Sequence, residues 1–328
     1  EQRPDVDVEA EIGERGGDHL LAAVVAVLAH LRDQDARPAA IVLLERLGHR
    51  LHAGHVLVHL LRLASHGPDT FVGEGPRYNW GGLYGGQIVA QAARAAANAV
   101  DDLDGPSGFA MNSLRAYFIR RGDHTEPIRF EVDRIRNGRS FATRRVVARQ
   151  AIGAILNLEA SFQRHEDTAD IQVAQLDLNL PGPDDLADDS WLSLFERRAV
   201  VRAATAVDGS RGPGRSVAWM RVPTPLGDDP VLHQSWLAFL SDDMPTDSVR
   251  AGHPEFSEGV ESFNASLDHT IWFHRPFRAD EWHLYDFTCH GYVGARGLSI
   301  GSVFTREGVH VATVAQEVLV RDQRSKAE

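Results

Sequence analysis

The chain has 328 residues, 43% of them hydrophobic and 24% charged, an ordinary globular composition with room for two domains and a core in each. Its net charge of −12 argues against a nucleic-acid surface, which needs a dense basic footprint to displace counterions. The single cysteine, Cys289, forbids an intrachain disulfide and offers no zinc cluster, and no apolar run approaches the ~20 residues of a membrane span.

Residues 1 to 62 contain no Phe, Tyr, Trp or Met yet carry six of the 16 histidines. A segment without aromatics lacks the side chains that dominate core energetics, so it reads as a poorly structured extension. Within it, 20 to 31 has a helical pattern too short for a bilayer. His52, His55 and His59 share a helix face that could hold a metal, although a plain polar face is the better reading, and no metal site is assigned. Of the 34 basic residues only Lys326 is lysine, so an anionic ligand would be held by arginine, and the bias fits a GC-rich bacterial genome.

From Thr70 the pattern firms. A short strand, TFVGEG, leads to YNWGGLYGGQIVAQAARAAANAV (78 to 100), two Gly-Gly pairs followed by a helix of small and apolar residues. Gln87, Gln91, Arg94 and Asn98 make a narrow polar stripe on that helix, whose other faces are fit for burial. The turn is no phosphate cradle: it matches neither GxxxxGK[ST] nor GxGxxG. The N–H groups at Gly85 and Gly86 instead suit a developing oxyanion.

Alternating strands follow at 113 to 120, 128 to 136, 140 to 150 and 154 to 163, each parted from the next by a turn. An Asp/Pro/Gly-rich connector (166 to 215) contains SWLSLFERR, which reads as one short helix. Then the pattern recurs. A shift of 155 residues lays Tyr117-Phe118 on Trp272-Phe273, Arg120 on Arg275, Phe130 on Tyr285 and Gly153 on Gly308, and a shift of 147 lays Gln87 on Gln234. The chain is a duplicated unit, a long helix and about four antiparallel strands in each copy, an α+β architecture with each sheet wrapped around its helix.

The second copy holds chemistry that the first lacks. Asp242 ends the apolar helical run WLAFLSDD where the first copy has Ala95, and Gln316 lies in the strand VATVAQEVLV where the first copy has Ser161. GLSIG (297 to 301) matches the GxSxG nucleophile elbow, but a strand rather than a helix follows Ser299. His269 and His274 read as hydrogen-bonded structural histidines in a strand.

YGGQIVAQA, AYFIRRGD, RIRNGRSFATRRVVARQ, EASFQ, LHQSWLAFLSDD, ASLDHTIWFHRPF, ARG and VATVAQE, in that order over residues 62 to 322, resemble the acyl-CoA thioesterase II family. The resemblance implies a double hotdog fold: an N-terminal hotdog at 63 to 165, the connector at 166 to 215 and a C-terminal hotdog at 216 to 323. It implies hydrolysis of acyl-CoA to free acid and CoA without a cofactor, in fatty-acid metabolism, by a trio carried over as Asp242, Ser266 and Gln316, and the single cysteine sets the expected compartment as the reducing cytoplasm. Serine stands where bacterial members commonly have threonine, and the hydroxyl is kept. Asp242 would act as base on water, or attack directly to give an anhydride. Arg120, Arg139 and Arg275 are candidates for the CoA phosphates. A hydratase is excluded by the missing GDxNPxH loop, whereas a non-catalytic acyl-CoA-binding or regulatory module is not. The sequence leaves self-association into a homo-oligomer open. Asp243→Asn is the expected near-neutral control for Asp242→Asn.

Overall fold

A computed structural model describes residues 60–101, 108–177, 179–201, 214–252 and 262–322. The histidine run at 52 to 59 and the helical pattern at 20 to 31 lie outside the described residues.

Strands β1 (Ala64–Ser65) and β2 (Thr70–Gly73) precede helix α1 (Gly85–Asp101). Strands β3 (Phe109–Phe118), β4 (Ile128–Asn137), β5 (Phe141–Gln150) and β6 (Gly153–Arg164) complete the first unit. In the second, β7 (Glu196–Val201) and β8 (Arg215–Arg221) precede α2 (Pro230–Ser241) and α3 (Pro245–Gly252). Strands β9 (Ser262–Ser266), β10 (Asp268–Phe273), β11 (His283–Val293), β12 (Arg296–Thr305) and β13 (His310–Asp322) follow.

The strands form one antiparallel sheet in the order β1-β2-β4-β5-β6-β3-β10-β13-β12-β11-β8-β7, with β9 paired to β13. The order is a palindrome of the two units, joined where β3 meets β10. The 155-residue shift carries Phe141–Gln150 onto Arg296–Thr305, the bounds of β12. It also carries the turn glycine Gly153, at φ +109°, onto Gly308, at φ +84°, so both copies need the same left-handed corner. Across the junction Arg115 pairs with Thr270, the residue the shift assigns to it. A local two-fold axis therefore runs through that pair. The observed architecture is the double hotdog.

Helix α1 is buried because it offers little but small side chains: Val89, Ala90, Ala92, Ala93, Ala95, Ala96 and Ala99 have no exposed surface. Its polar stripe is satisfied where it enters the core. Gln87 accepts from the Tyr78 hydroxyl at 2.7 Å, and Gln91 donates to the carbonyls of Leu60 and Glu74, both at 2.8 Å. Helices α1 and α2 pack antiparallel. At one end the Tyr84 hydroxyl donates to the Phe239 carbonyl at 3.0 Å, and at the other Arg94 meets Asp229, the N-cap of α2.

One expected element is different. SWLSLFERR forms no helix: Glu196–Val201 is a strand on the open edge of β8, with Glu196 opposite Arg221. The ladder bonds that edge offers, and the burial of Leu194 and Phe195, outweigh a short run's local preference.

Candidate active site

Asp242 caps the C-terminus of α2 and is 7% exposed. A carboxylate there is tenable only with donors. Ser266, at the end of β9, donates its hydroxyl to Asp242 Oδ1 at 3.2 Å, and the Gly86 N–H at the start of α1 donates to the same carboxylate. Gln316, fully buried in β13, donates from Nε2 to Ser266 Oγ at 2.7 Å. The three residues thus come from a helix end and two strands and meet at one point.

His269 extends the chain of bonds. Its Nδ1 meets Gln316 Oε1 in a short hydrogen bond and its Nε2 lies 2.9 Å from Ser241 Oγ. With Nδ1–H donating to Gln316, every link points one way: Ser241 to His269, His269 to Gln316, Gln316 to Ser266, Ser266 to Asp242. Burial lowers the His269 pKa to about 4, so the ring is neutral at pH 7 and can hold this polarity. The sequence had marked His269 only as a structural histidine. Its inward register with Ile271 and Phe273 in DHTIWF was the available signal.

Burial pushes the Asp242 carboxyl up to about 7, against the opposing hydrogen bonds of Gln316, Ser266 and Gly86, and the neighbouring Asp243 charge pushes the same way as burial. A carboxyl poised near neutrality can both accept and return a proton at physiological pH. Gly85 matters for a steric reason. A Cβ there would come 2.6 Å from Asp242 Oδ2 and 3.0 Å from the Phe118 ring, so only glycine lets the turn approach the acid. The Gly86 N–H, expected to face an oxyanion, is aimed at the Asp242 carboxylate.

Asp243 is no solvated helix end. Its side chain is 10% exposed, accepts from Trp191 Nε1 at 2.7 Å and faces Arg197 Nη1 at 3.0 Å, and Arg197 also holds Asp247. The expectation that Asp243→Asn is near-neutral is therefore corrected for stability, because the change breaks a buried ion pair. Trp191 also sets its ring edge against Tyr84, 5.3 Å between centroids. Arg197 and Trp191 were hidden from sequence reading because their segment was read as a helical connector.

The three arginines do not gather. Arg120, exposed, donates to the Ala154 carbonyl at 2.8 Å just beyond Phe118, whose ring borders Gly85. Arg139 is exposed in the turn between β4 and β5. Arg275 pairs with Asp170 and donates to the His310 carbonyl at 2.7 Å, beyond the opposite end of β10 from Ser266. His274 meets Thr313 Oγ1 at 2.9 Å, a hydrogen-bonded histidine as expected. Ser299 lies mid-strand opposite Gln316, bonded to Ser248 at 2.7 Å, which agrees with discounting the nucleophile elbow. Among the described residues no group of His, Cys, Asp and Glu is placed to hold a metal ion, and no helix is long and apolar enough to cross a membrane.

Comparison with known proteins bears on the family. Residues 74–163 match the family model of the acyl-CoA thioesterase N-terminal domain, and residues 172–320 that of the C-terminal domain. The chain is 32% identical to acyl-CoA thioesterase 2 of Haemophilus influenzae over 81% of its length and 96% of the relative's. It is also 32% identical to human acyl-coenzyme A thioesterase 8, over 73% and 80% of the two lengths. The crystal structure of an acyl-CoA thioesterase II from Mycobacterium marinum superposes with a TM-score of 0.70 at 35% identity, covering 82% of this chain and 99% of that one. With the paired hotdog units already evident from the sheet, these matches place the chain in the acyl-CoA thioesterase II family.

Proposed function

We propose that this thioesterase hydrolyses acyl-CoA to free acid and CoA with Asp242 as the base. The observation that carries the reading is the one-way chain of hydrogen bonds ending on a buried carboxyl of pKa about 7. Water held by Ser266 and Gln316 gives a proton to Asp242 as its oxygen bonds to the thioester carbon. The carbonyl electrons move onto oxygen, return as the C–S bond breaks, and the proton passes to the leaving sulfur. The start of α1 serves the developing oxyanion through the N–H groups of Gly85 and Gly86, the latter released from Asp242 once that carboxyl is protonated. Direct attack by Asp242 to give an anhydride is the alternative role, and single turnover in ¹⁸O-labelled water separates the two, since only attack carries label into the Asp242 carboxyl.

Arg120, exposed two residues beyond Phe118, whose ring borders Gly85, is the arginine we assign to the CoA phosphates. Arg139 and Arg275 are the weaker candidates. The arginine bias and the single cysteine fit a bacterial cytoplasmic setting in fatty-acid metabolism.

The test is CoA release from a panel of acyl-CoAs, followed with a thiol-reactive chromophore. Asp242→Asn is nearly isosteric but cannot take a proton, so turnover should fall by about 10² to 10⁴ while acyl-CoA still binds. Ser266→Ala and Gln316→Ala should each lower turnover and add little to Asp242→Asn, because residues that hold one water act as a unit. Wild type that binds acyl-CoA without releasing CoA would identify a non-catalytic binding module. An Asp242→Asn enzyme with most of its turnover would show that the acid is elsewhere.

A further inference from the structure

The two-fold axis through Arg115 and Thr270 gives the Asp242 site a counterpart. Ser266 stands four residues before Thr270, and Met111 four residues before Arg115. The counterparts of Asp242, Ser266 and Gln316 are Ala95, Met111 and Ser161, so none of the three catalytic groups has an equivalent there. Space is present. A cavity of about 370 Å³ opens where the axis places this second site, lined among others by Met111, Asn112, Gln234 and Phe273. Eight strand residues separate the equivalent points, roughly 25 Å.

Two lining residues have counterparts beside the active site. Phe273 corresponds to Phe118, which borders Gly85, and Arg275, also in the lining, corresponds to Arg120. Gln234 corresponds to Gln87, and here the two sites part. The Tyr78 hydroxyl donates to Gln87 Oε1 at 2.7 Å, but the 147-residue shift sets Pro225 against Tyr78, which leaves Gln234 without that donor. Its Nε2 is committed to the Met111 carbonyl at 2.7 Å, which fixes the amide's orientation, and its Oε1 is buried with no hydrogen-bond partner. Asn112 Oδ1 is in the same condition. Unpartnered buried acceptors cost about 1–3 kcal/mol each, and a small turn of either cavity-lining side chain would bring its oxygen to an N–H or O–H donor from a ligand.

We propose that this cavity is a second acyl-CoA site that binds without hydrolysing. The ligand class rests on the function proposed above and on three matches of chemistry. The amide N–H groups of a pantetheine arm supply the donors that Gln234 and Asn112 lack. Phe273 and Phe277 give an apolar wall for the acyl chain, and Arg164, with Arg275 once a phosphate displaces its partner Asp170, supplies positive charge against the single lining acid Glu166. The volume suits part of such a ligand, with the nucleotide outside.

The experiment is calorimetric titration of the full chain with a non-hydrolysable S-alkyl-CoA thioether of the chain length it hydrolyses fastest. Two equivalents should bind per chain, and two should still bind to Asp242→Asn. Gln234→Leu should bind one, with kcat and KM for acyl-CoA within twofold of wild type. Should Gln234→Leu fail to fold, Ala110→Trp on the exposed rim of the cavity fills it from outside and should likewise reduce two equivalents to one. One equivalent in wild type overturns the inference, as does a second equivalent that survives both substitutions or a second site filled by free alkanoate but not by the thioether. Failure of the proposed function looks different: no CoA release from any acyl-CoA, whatever the stoichiometry.

Discussion

At the scale of the residue, the Asp242 carboxyl sets both a rate profile and a stability profile. The base must be ionised, so kcat/KM should fall tenfold per pH unit below about 7 and level off above it. Stability runs the other way. The folded pKa lies above the unfolded one, so the contribution is complete below about pH 4 and is lost as pH rises through 7. Unfolding free energies of Asp242→Asn and wild type from urea titrations should therefore diverge from pH 5 to pH 8 in favour of the variant, by on the order of 2–4 kcal/mol. An equal gap at both pH values would mean that the carboxyl is not perturbed. His269 gives the second test. His269→Leu leaves Gln316 Oε1 unpaired and free to turn, and should cut kcat at least tenfold with KM little changed. His269→Asn, whose amide N–H can stand in for Nδ1–H, should restore much of the loss, whereas a purely packing role would favour leucine. Asp242, Ser266 and Gln316 could be picked out by motif. The role of His269 could not, since its bond to Gln316 spans 47 residues of chain and forms only when β10 pairs with β13.

At the scale of the element, the site depends on two helix ends that meet without side chains between them. A Cβ on Gly86 would run into the Phe239 carbonyl, and backbone cannot yield as a flexible side chain can. Gly86→Ala should thus lower the melting temperature, with a cost of about 1–3 kcal/mol. Gly85→Ala presses on Asp242 Oδ2 itself and should depress turnover more than stability. Asp243→Asn should do the reverse, losing stability through Arg197 while each folded molecule keeps its turnover. The strands were legible because alternation and duplication agree: Phe141–Gln150 and Arg296–Thr305 could be matched before any pairing was known. Glu196–Val201 was not legible, because what makes it a strand is the edge of β8, which no local window contains.

At the scale of the whole molecule, the question is where the catalytic body begins. Chain contacts separate Glu1–Leu57 from Val58–Glu328, and the first family match starts at residue 74. A boundary at 62, drawn from the absence of aromatics, would cut through the core: Leu60 and Leu61 are 2% and 3% exposed, and the Leu60 carbonyl accepts from Gln91 on α1. Composition misses this because two leucines and one carbonyl leave no periodic trace. Removing residues 1–57 should leave turnover and melting temperature close to those of the full chain. Removing 1–62 deletes two buried leucines, about 1.5–3 kcal/mol each, and takes from the buried Gln91 one of the two carbonyls its Nε2 donates to, leaving that of Glu74. Near 0.1 kcal/mol per residue, a body of this size has some tens of kcal/mol at most, and the loss falls on the helix whose N-terminus meets Asp242. The longer deletion should therefore melt several degrees lower and turn over more slowly. If both truncations behave alike, Leu60 and Leu61 do not serve as core. If the shorter one is already inactive, residues 1–57 take part in the active fold.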